Sequence, residues 1–117
     1  MSGVKFVKAA DRTFETIDLD PGAICIGRDV STDDSSTIGC SVVTLENCHM
    51  EWTVLYDEYM YCVEGSFTIK TKEGDFVLEP GDGIWLPNGT WMVYVAEAKA
   101  TAVVAVYPVD WKDRAGA

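Results

Sequence analysis

The sequence consists of short runs in which β-branched and aromatic residues alternate with polar ones, and each run ends at Gly, Pro, Asn or Asp. This two-residue period is typical of strands with one buried face, and no stretch shows the period of a long helix. Turns such as Asp20-Pro21-Gly22 and Pro80-Gly81-Asp82-Gly83 separate the runs. We predict an all-β protein with ten strands, at residues 13–19, 23–28, 38–45, 49–55, 59–64, 66–71, 76–79, 83–86, 91–96 and 102–107. Strands at this spacing indicate a sandwich or a closed barrel.

Three segments fall outside this pattern. Ser31–Thr37 is polar throughout and is predicted to be a surface loop. Residues 111–117 are predicted to be a short terminal segment that Trp111 holds in place. Residues 4–9 are predicted to form an N-terminal strand that pairs with the exposed sheet edge of a second copy, so we expect a homodimer.

The charge of the chain limits its partners. The 117 residues carry 9 basic and 19 acidic side chains, a net charge of -10. Such a field repels phosphate backbones and anionic lipids, so we expect no nucleic-acid or membrane partner. Neither a signal peptide nor an apolar stretch of about 20 residues is present, and the four cysteines form no C-x-x-C pair. We therefore expect a cytoplasmic protein with reduced thiols.

The middle of the chain carries two spaced motifs, Glu58-x6-Gly65 and Gly81-Asp82-x4-Pro87-x-Gly89. This pair of motifs resembles the two-motif signature of cupins. The resemblance implies a single-domain jelly-roll β-barrel over residues 1–117, with the motif region at about 50–112, and a ligand or a metal inside the barrel. In that fold the glycines close tight turns and the proline stiffens the end of a strand.

The histidines of a typical cupin metal site are missing. Glu51 and Thr53 stand where the resemblance implies a His-x-His pair, Met92 stands at the later histidine position, and His49 is the single histidine. A three-histidine site is excluded. Alternation puts His49, Glu51 and Thr53 on one strand face, and Glu58 follows on the next strand. We predict either a divalent metal ion held by Glu51, Glu58 and His49, or no metal.

Further residues are similar to those of the EutQ family of ethanolamine-utilisation proteins. The similar residues are Trp52, Asp57-Glu58, Val63-Glu64-Gly65, Gly81-Asp82, Pro87-x-Gly89 and Tyr107-Pro108-x-x-Trp111. The resemblance covers about residues 50–112. It implies a role in ethanolamine or amine utilisation and an acetate-kinase-like activity. Phosphoryl transfer needs cationic groups or Mg²⁺ around the phosphate. The sequence has no Gly-rich phosphate loop, so a metal ion held by carboxylates would have to supply the positive charge.

An apolar barrel interior favours acid and base chemistry, because burial and a neighbouring carboxylate both raise the pKa of a carboxyl group. We predict Glu51 and Glu58 as the acid and base pair, with His49 as a titrating partner. Proton donors or substrate anchors are expected among Tyr56, Tyr59, Tyr61 and Tyr94, and Tyr61 is the candidate catalytic tyrosine. The candidate ligand contacts are Glu64, Tyr94, Trp52 and Met92. For Trp52, Met92 and the tyrosines, packing in the core is the alternative role.

Two functions are compatible with these residues. The first is an enzyme of the lyase, isomerase or dehydratase type that acts on a small polar metabolite through interior carboxylates. The second is a non-catalytic cupin that binds a small molecule or a partner protein. Burying carboxylates costs stability unless they are paired, which favours the enzyme.

Overall fold

The computed structural model describes residues 3–114. It contains eight strands, a 3₁₀ turn at Ala9–Asp11 and a final helical turn, α1, at Trp111–Arg114. The strands are β1 (Glu15–Asp18), β2 (Ala23–Val30), β3 (Gly39–Thr53), β4 (Asp57–Glu64), β5 (Phe67–Thr71), β6 (Gly74–Leu78), β7 (Gly83–Leu86) and β8 (Trp91–Tyr107). The all-β prediction is confirmed.

The ten predicted strands become eight because two pairs of them are continuous. Strand β3 runs through the polar residues between its two predicted halves, with a bulge between Glu46 and Cys48 where Asn47 has a φ of 46°. An asparagine tolerates this left-handed conformation, so the ladder bends without ending. Strand β8 likewise runs through Glu97–Thr101, because Ala100 and Lys99 pair with Leu45 and Glu46.

Strand β8 organises the sheet. One of its edges pairs with β3 along almost the whole of both strands. Its other pairings are divided: residues 92–95 pair with β5, and residues 101–107 pair with β4. Strands β2 and β1 continue the sheet beyond β3, while β7 pairs with β4 and β6 with β5. All of these pairings are antiparallel.

The core lies on the inner face of this curved sheet. On β4, Glu58, Met60 and Cys62 are buried, while Tyr59 and Tyr61 point outward. The second half of β3 buries Cys48 and partly buries its alternate residues. Its remaining residues, His49, Glu51 and Thr53, are exposed. The alternation therefore places one carboxyl group, that of Glu58, among apolar side chains.

The predictions for the N-terminal segment and for the polar loop compare differently with the structure. Residues 4–8 lie in no strand of the single chain and Ala9 begins the 3₁₀ turn, so the pairing of residues 4–9 with a second copy stays a prediction. The N-terminal segment is instead fastened by Arg12, which donates to both Asp29 carboxylate oxygens at 2.7 and 2.8 Å. Ser31–Thr37 is a largely exposed loop of turns, as predicted.

The predicted terminal segment is described only as far as Arg114, and residues 115–117 lie outside the described part. In residues 3–114, no helix is long and apolar enough to cross a membrane.

Candidate functional site

A cavity of about 310 Å³ lies on the inner side of the sheet, and most of its wall is apolar. Strands β1, β2, β3, β4 and β8 all contribute to it, and α1 contributes Trp111. The aliphatic and sulfur-containing wall is formed by Ile17, Ile24, Ile26, Val43, Leu45, Met50, Met60, Val104 and Val106. The polar and aromatic lining is formed by Arg28, Ser41, Trp52, Tyr56, Glu58, Tyr94 and Trp111.

Glu58 is the acidic residue of this lining. Its side chain is 3% exposed, because it points inward from β4 beside Met60. The Tyr94 hydroxyl on β8 lies 3.3 and 3.4 Å from the two carboxylate oxygens and donates to them. The two residues are 36 positions apart, and they are not partners in a ladder: Glu58 pairs with Val106, while Tyr94 pairs with Met50 and Ile69. They therefore meet across the inner face of the curved sheet.

Burial dominates the electrostatics of these groups. Loss of water around Glu58 raises the pKa of its carboxyl group to about 7, and the Tyr94 hydrogen bond opposes that rise. Burial also raises the pKa of Tyr94 well above its usual value, with Glu58 as the next cause. For Tyr56, burial and then Glu58 raise the pKa to about 12. Near neutral pH, both phenols stay protonated, while the carboxyl group of Glu58 can either hold or release its proton.

An aromatic corner, formed by Trp52, Tyr56 and Trp111, closes one side of the cavity. The Trp111 ring lies 4.8 Å from the Tyr56 ring at 51°, and 6.3 Å from the Trp52 ring at 71°. The Trp52 indole N–H donates to the Tyr56 hydroxyl at 3.2 Å. These contacts show that Trp111 holds residues 111–114, the described part of the predicted terminal segment, and they make Trp111 part of the cavity wall.

Exposed members of the lining mark the mouth of the cavity. Ile17 on the edge strand β1 and Arg28 on β2 both reach solvent. The Arg28 guanidinium donates to Glu15 at 2.9 Å, and its side chain is half exposed. Sequence reasoning missed Arg28, because a basic residue on an alternating strand gives no sign of which cavity it borders.

Glu51 and His49 are not in the interior, and this prediction was wrong. Both side chains are exposed on the outer face of β3, and the Glu51 carboxylate accepts a hydrogen bond from the Trp91 indole. Alternation did place them on one face, but the apolar residues Cys48 and Met50 point to the inner face. Burying charged side chains there would cost far more free energy than burying apolar ones. The predicted Glu51 and Glu58 pair therefore does not form.

Three other predicted residues also lie away from the cavity. Tyr61 is exposed on the face of β4 opposite to Glu58. Glu64 is exposed at the end of the same strand. Met92 is fully buried in the core and is not part of the cavity lining. Tyr94 and Trp52, in contrast, do line the cavity together with Glu58. Their contact with a ligand stays a prediction.

A metal ion does not fit these residues. Among residues 3–114, no group of three or more His, Cys, Asp or Glu side chains is placed to hold one. The predicted ligands Glu51 and His49 lie across the sheet from Glu58, and the direct partner of Glu58 is a phenol. One carboxyl group in an apolar wall is a poor match for the several oxygen or nitrogen ligands that divalent ions require.

Residues 1–113 match the protein family described as Ethanolamine utilisation protein EutQ. The chain belongs to the EutQ family. A relative named Acetate kinase EutQ from Clostridioides difficile is 25% identical over 92 residues, which cover 78% of this chain and 59% of that protein. A relative of the same name from Escherichia coli is 22% identical over 111 residues, covering 94% and 48%. This EutQ-family chain thus spans about half the length of the curated relatives it matches.

Solved structures show the same fold. The EutQ protein of Clostridium difficile superposes with a TM-score of 0.84 at 20% identity, over 96% of this chain and 85% of that one. An RmlC-like cupin from Shewanella frigidimarina superposes with a TM-score of 0.75 at 15% identity, over 88% and 89%. The cupin fold of this EutQ-family chain is confirmed, and at these identities the likeness extends to the fold alone.

Proposed function

We propose that the cavity binds a small metabolite and that the Glu58 carboxyl group gives a proton to it or takes one from it. The observation that carries this proposal is a single buried carboxyl group at the wall of an apolar cavity, with a phenol as its direct hydrogen-bond partner. An isolated buried acid lowers stability, so packing alone gives no reason for it. The reactions that such a site suits are isomerisation, dehydration and lyase chemistry.

The proton affinity of Glu58 supports this role. A general acid or base works best when its pKa lies near the operating pH, and burial brings that of Glu58 to about 7. Tyr94 fixes the orientation of the carboxylate, while the apolar wall excludes water from the reacting group. The proposed division is therefore Glu58 as the proton carrier and Tyr94 as its positioning residue.

Phosphoryl transfer is less well supported by the geometry, even though the relatives carry the name acetate kinase. The transferred phosphoryl group needs Mg²⁺ or several cationic side chains around it. Arg28 is the one basic residue of the cavity lining, and it is already paired with Glu15. We also propose that this proton chemistry takes part, in the cytoplasm, in the utilisation of ethanolamine or another amine. The family description, which names ethanolamine utilisation, supports the ethanolamine role.

A deuterium-exchange experiment tests the proposal. The protein is incubated in D₂O with ethanolamine, acetaldehyde, acetate or acetyl phosphate, and loss of C–H signals is followed by NMR. We expect the wild type to catalyse exchange in at least one probe. The isosteric Glu58→Gln variant is expected to lower that exchange by a factor of about 100 or more. Tyr94→Phe is expected to shift the pH profile of exchange upward, because its hydroxyl opposes the raised pKa of Glu58.

Glu51→Gln is the matched control, since Glu51 is a carboxylate on the outer face of the same sheet. It is expected to retain wild-type exchange. Binding of a probe with no exchange, and with a changed affinity in Glu58→Gln, would instead favour the non-catalytic ligand-binding function. ATP-dependent formation of acetyl phosphate that persists in Glu58→Gln would put the activity outside the cavity and contradict the proposal.

We also propose that two copies of the chain associate through the outer face of β8, β4 and β7. This outer aromatic face consists of Tyr59, Tyr61, Trp85, Val103 and Ala105, none of them charged. Its large members are 41% to 58% exposed. Contiguous apolar surface of this kind marks interaction sites, and two copies of net charge -10 repel each other least at an uncharged face.

A further inference from the structure

We propose that the ligand of the cavity is a small organic ammonium ion, held by the Glu58 carboxylate and by the aromatic corner. This inference rests on the proposed function, because it names the class of molecule that meets Glu58. Three independent features of the cavity carry it: the sign of the charge inside, the arrangement of the rings, and the apolar wall.

When Glu58 is ionised, the charge that a ligand meets inside the cavity is negative. Glu58 is the acidic residue of the lining and Arg28 the basic one. Arg28 is half exposed at the mouth, and its guanidinium is paired with Glu15 at 2.9 Å. Glu58, in contrast, is 3% exposed and has no basic partner within ion-pair distance among the described residues. A bound cation would supply the counter-charge that the fold leaves out.

The aromatic corner has the geometry of a cation site. Its three rings meet at 51° and 71°, so they form a corner and do not stack in parallel. The Trp52 indole N–H is already used by the Tyr56 hydroxyl, which fixes both rings. Ring faces of Trp and Tyr attract ammonium groups, and sets of such rings are used to recognise them. All three rings line the same cavity as Glu58.

The remaining wall suits the alkyl part of such an ion. It is formed by aliphatic side chains, and a volume of about 310 Å³ is at the lower limit of ligand pockets, which run from roughly 300 to 1,000 Å³. The net charge of -10 also raises the local concentration of cations around the molecule. A small anion would meet less favourable conditions, because it would approach the Glu58 carboxylate, and Arg28, the basic residue of the lining, is already paired with Glu15.

The test compares choline with its neutral isostere 3,3-dimethyl-1-butanol, and both with acetate, by isothermal titration calorimetry at about pH 8, above the pKa of Glu58. The two isosteres have the same shape and differ in the charge. We expect choline to bind at least about tenfold more tightly than the neutral isostere, and acetate to bind more weakly than either. Equal affinity for the isosteres, or tighter binding of acetate, would overturn the inference.

Variants locate the preference. Glu58→Gln is expected to lower the preference for choline over the neutral isostere several-fold, because only the aromatic corner then favours the cation. Glu51→Gln, on the outer face, is expected to leave the preference unchanged. Glu58 is buried, so its replacement can also disturb folding. Trp111→Leu therefore provides a second test at a half-buried residue. It is expected to weaken choline several-fold more than the neutral isostere. A preference for choline that neither Glu58→Gln nor Trp111→Leu reduces would overturn the inference.

Proton linkage gives a third readout. The titratable and charged groups that face Glu58 are Tyr94 of β8, Tyr56 of the β3–β4 connection and Arg28 of β2, and among them Glu58 is the group that titrates near neutral pH. An ammonium ion favours the ionised carboxylate, so its binding at about pH 6 should release a proton and its affinity should rise toward about pH 8. Proton uptake on choline binding would contradict the inference.

The two proposals fail in distinguishable ways. If acetate or the neutral isostere binds best and Glu58→Gln still removes deuterium exchange, the proton-transfer function stands and the ammonium class is wrong. If choline binds as expected but Glu58→Gln leaves every exchange rate unchanged, the ligand class stands and the proton-transfer role is wrong. If no probe binds or exchanges, both proposals are wrong.

Discussion

At the scale of single residues, Glu58 is the group whose environment departs most from what its side chain prefers. Its carboxyl group lies on a strand whose other inward residues are Met60 and Cys62, and Tyr94 supplies its direct hydrogen bond. A carboxyl group in such surroundings keeps its proton to higher pH, because the charged form loses its hydration. The folded protein therefore holds a proton that the unfolded chain releases.

This difference makes stability depend on pH in a stated direction. The pKa of Glu58 is about 7 in the folded chain, against an ordinary value of 4.5. Uptake of this proton adds about 3 kcal/mol to the free energy of unfolding. The added stability is fully present below pH 4.5 and is lost as pH rises through about 7. Glu58→Gln removes this dependence. The free energy of unfolding of the variant and of wild type is measured by urea unfolding at about pH 5 and about pH 8. We expect the variant minus wild-type difference to be about 2 to 3 kcal/mol more favourable to the variant at the higher pH.

Glu64→Gln is the control for this measurement, because Glu64 is an exposed carboxylate on the same strand. Its stability relative to wild type is expected to be the same at both pH values. A constant difference for Glu58→Gln as well would contradict the buried, protonated state of Glu58.

At the scale of the elements, the turn between β1 and β2 and the bulge in β3 fit against each other. Gly22 has a φ of +84°, and a Cβ there would collide with the backbone carbonyl oxygens of Glu46 and Asn47. Leu19 N–H donates to the Gly22 carbonyl oxygen at 2.9 Å to close the turn. The bulge that lets β3 stay continuous thus also receives the neighbouring turn, and both features need a residue without a side chain at position 22.

Gly22→Ala is expected to destabilise the protein by about 3 kcal/mol or more, because the new methyl group adds a backbone collision to the cost of the left-handed conformation. Gly89→Ala separates the two causes. Gly89 has a φ of +94°, but a Cβ there has open space, so we expect a loss of only about 1 to 2 kcal/mol. Urea unfolding of both variants measures the difference, and equal losses would show that the contact with the bulge is unimportant.

At the scale of the whole molecule, the sheet has an inner face that forms the cavity and an outer aromatic face that the single chain leaves in solvent. Tyr59 on this outer face covers Gly83, where a Cβ would collide with the Tyr59 ring. The position of that ring is therefore fixed by its own chain. An exposed and uncharged aromatic surface of this kind is suited to pack against a second copy of itself.

Trp85→Glu places a charge in this face at a side chain that is 58% exposed, so the fold of the single chain should tolerate it. We expect size-exclusion chromatography with light scattering at micromolar concentration to show a dimer for wild type and a monomer for Trp85→Glu. Val77→Glu is the matched control, because Val77 is a similarly exposed apolar residue on β6, outside the outer aromatic face. A monomeric wild type would contradict the proposed dimer.

The fold was largely predictable, while the site was only partly so. Period-two alternation and the glycine and proline turns predicted an all-β chain, and the paired motifs around Glu58 and Gly81 predicted the cupin fold. The strand count was wrong where Asn47 forms a bulge and where Glu97–Thr101 pairs in spite of its polar and alanine-rich sequence. Local patterns do not reveal such continuations, because the pairing partner across the sheet decides whether a polar stretch stays extended.

Alternation along the chain specified which residues share a strand face, but the packing of the whole sheet selected the face that lies inside. His49 and Glu51 share one face of β3, as alternation requires, and the packed core assigned the other face to the interior. Contacts between distant residues also needed the fold: Glu58 meets Tyr94 across the inner face of the curved sheet, and Trp111 meets Tyr56 at the cavity wall. The physical reason is that alternation is a local property of the backbone, whereas burial is decided by how much apolar surface the whole sheet removes from water.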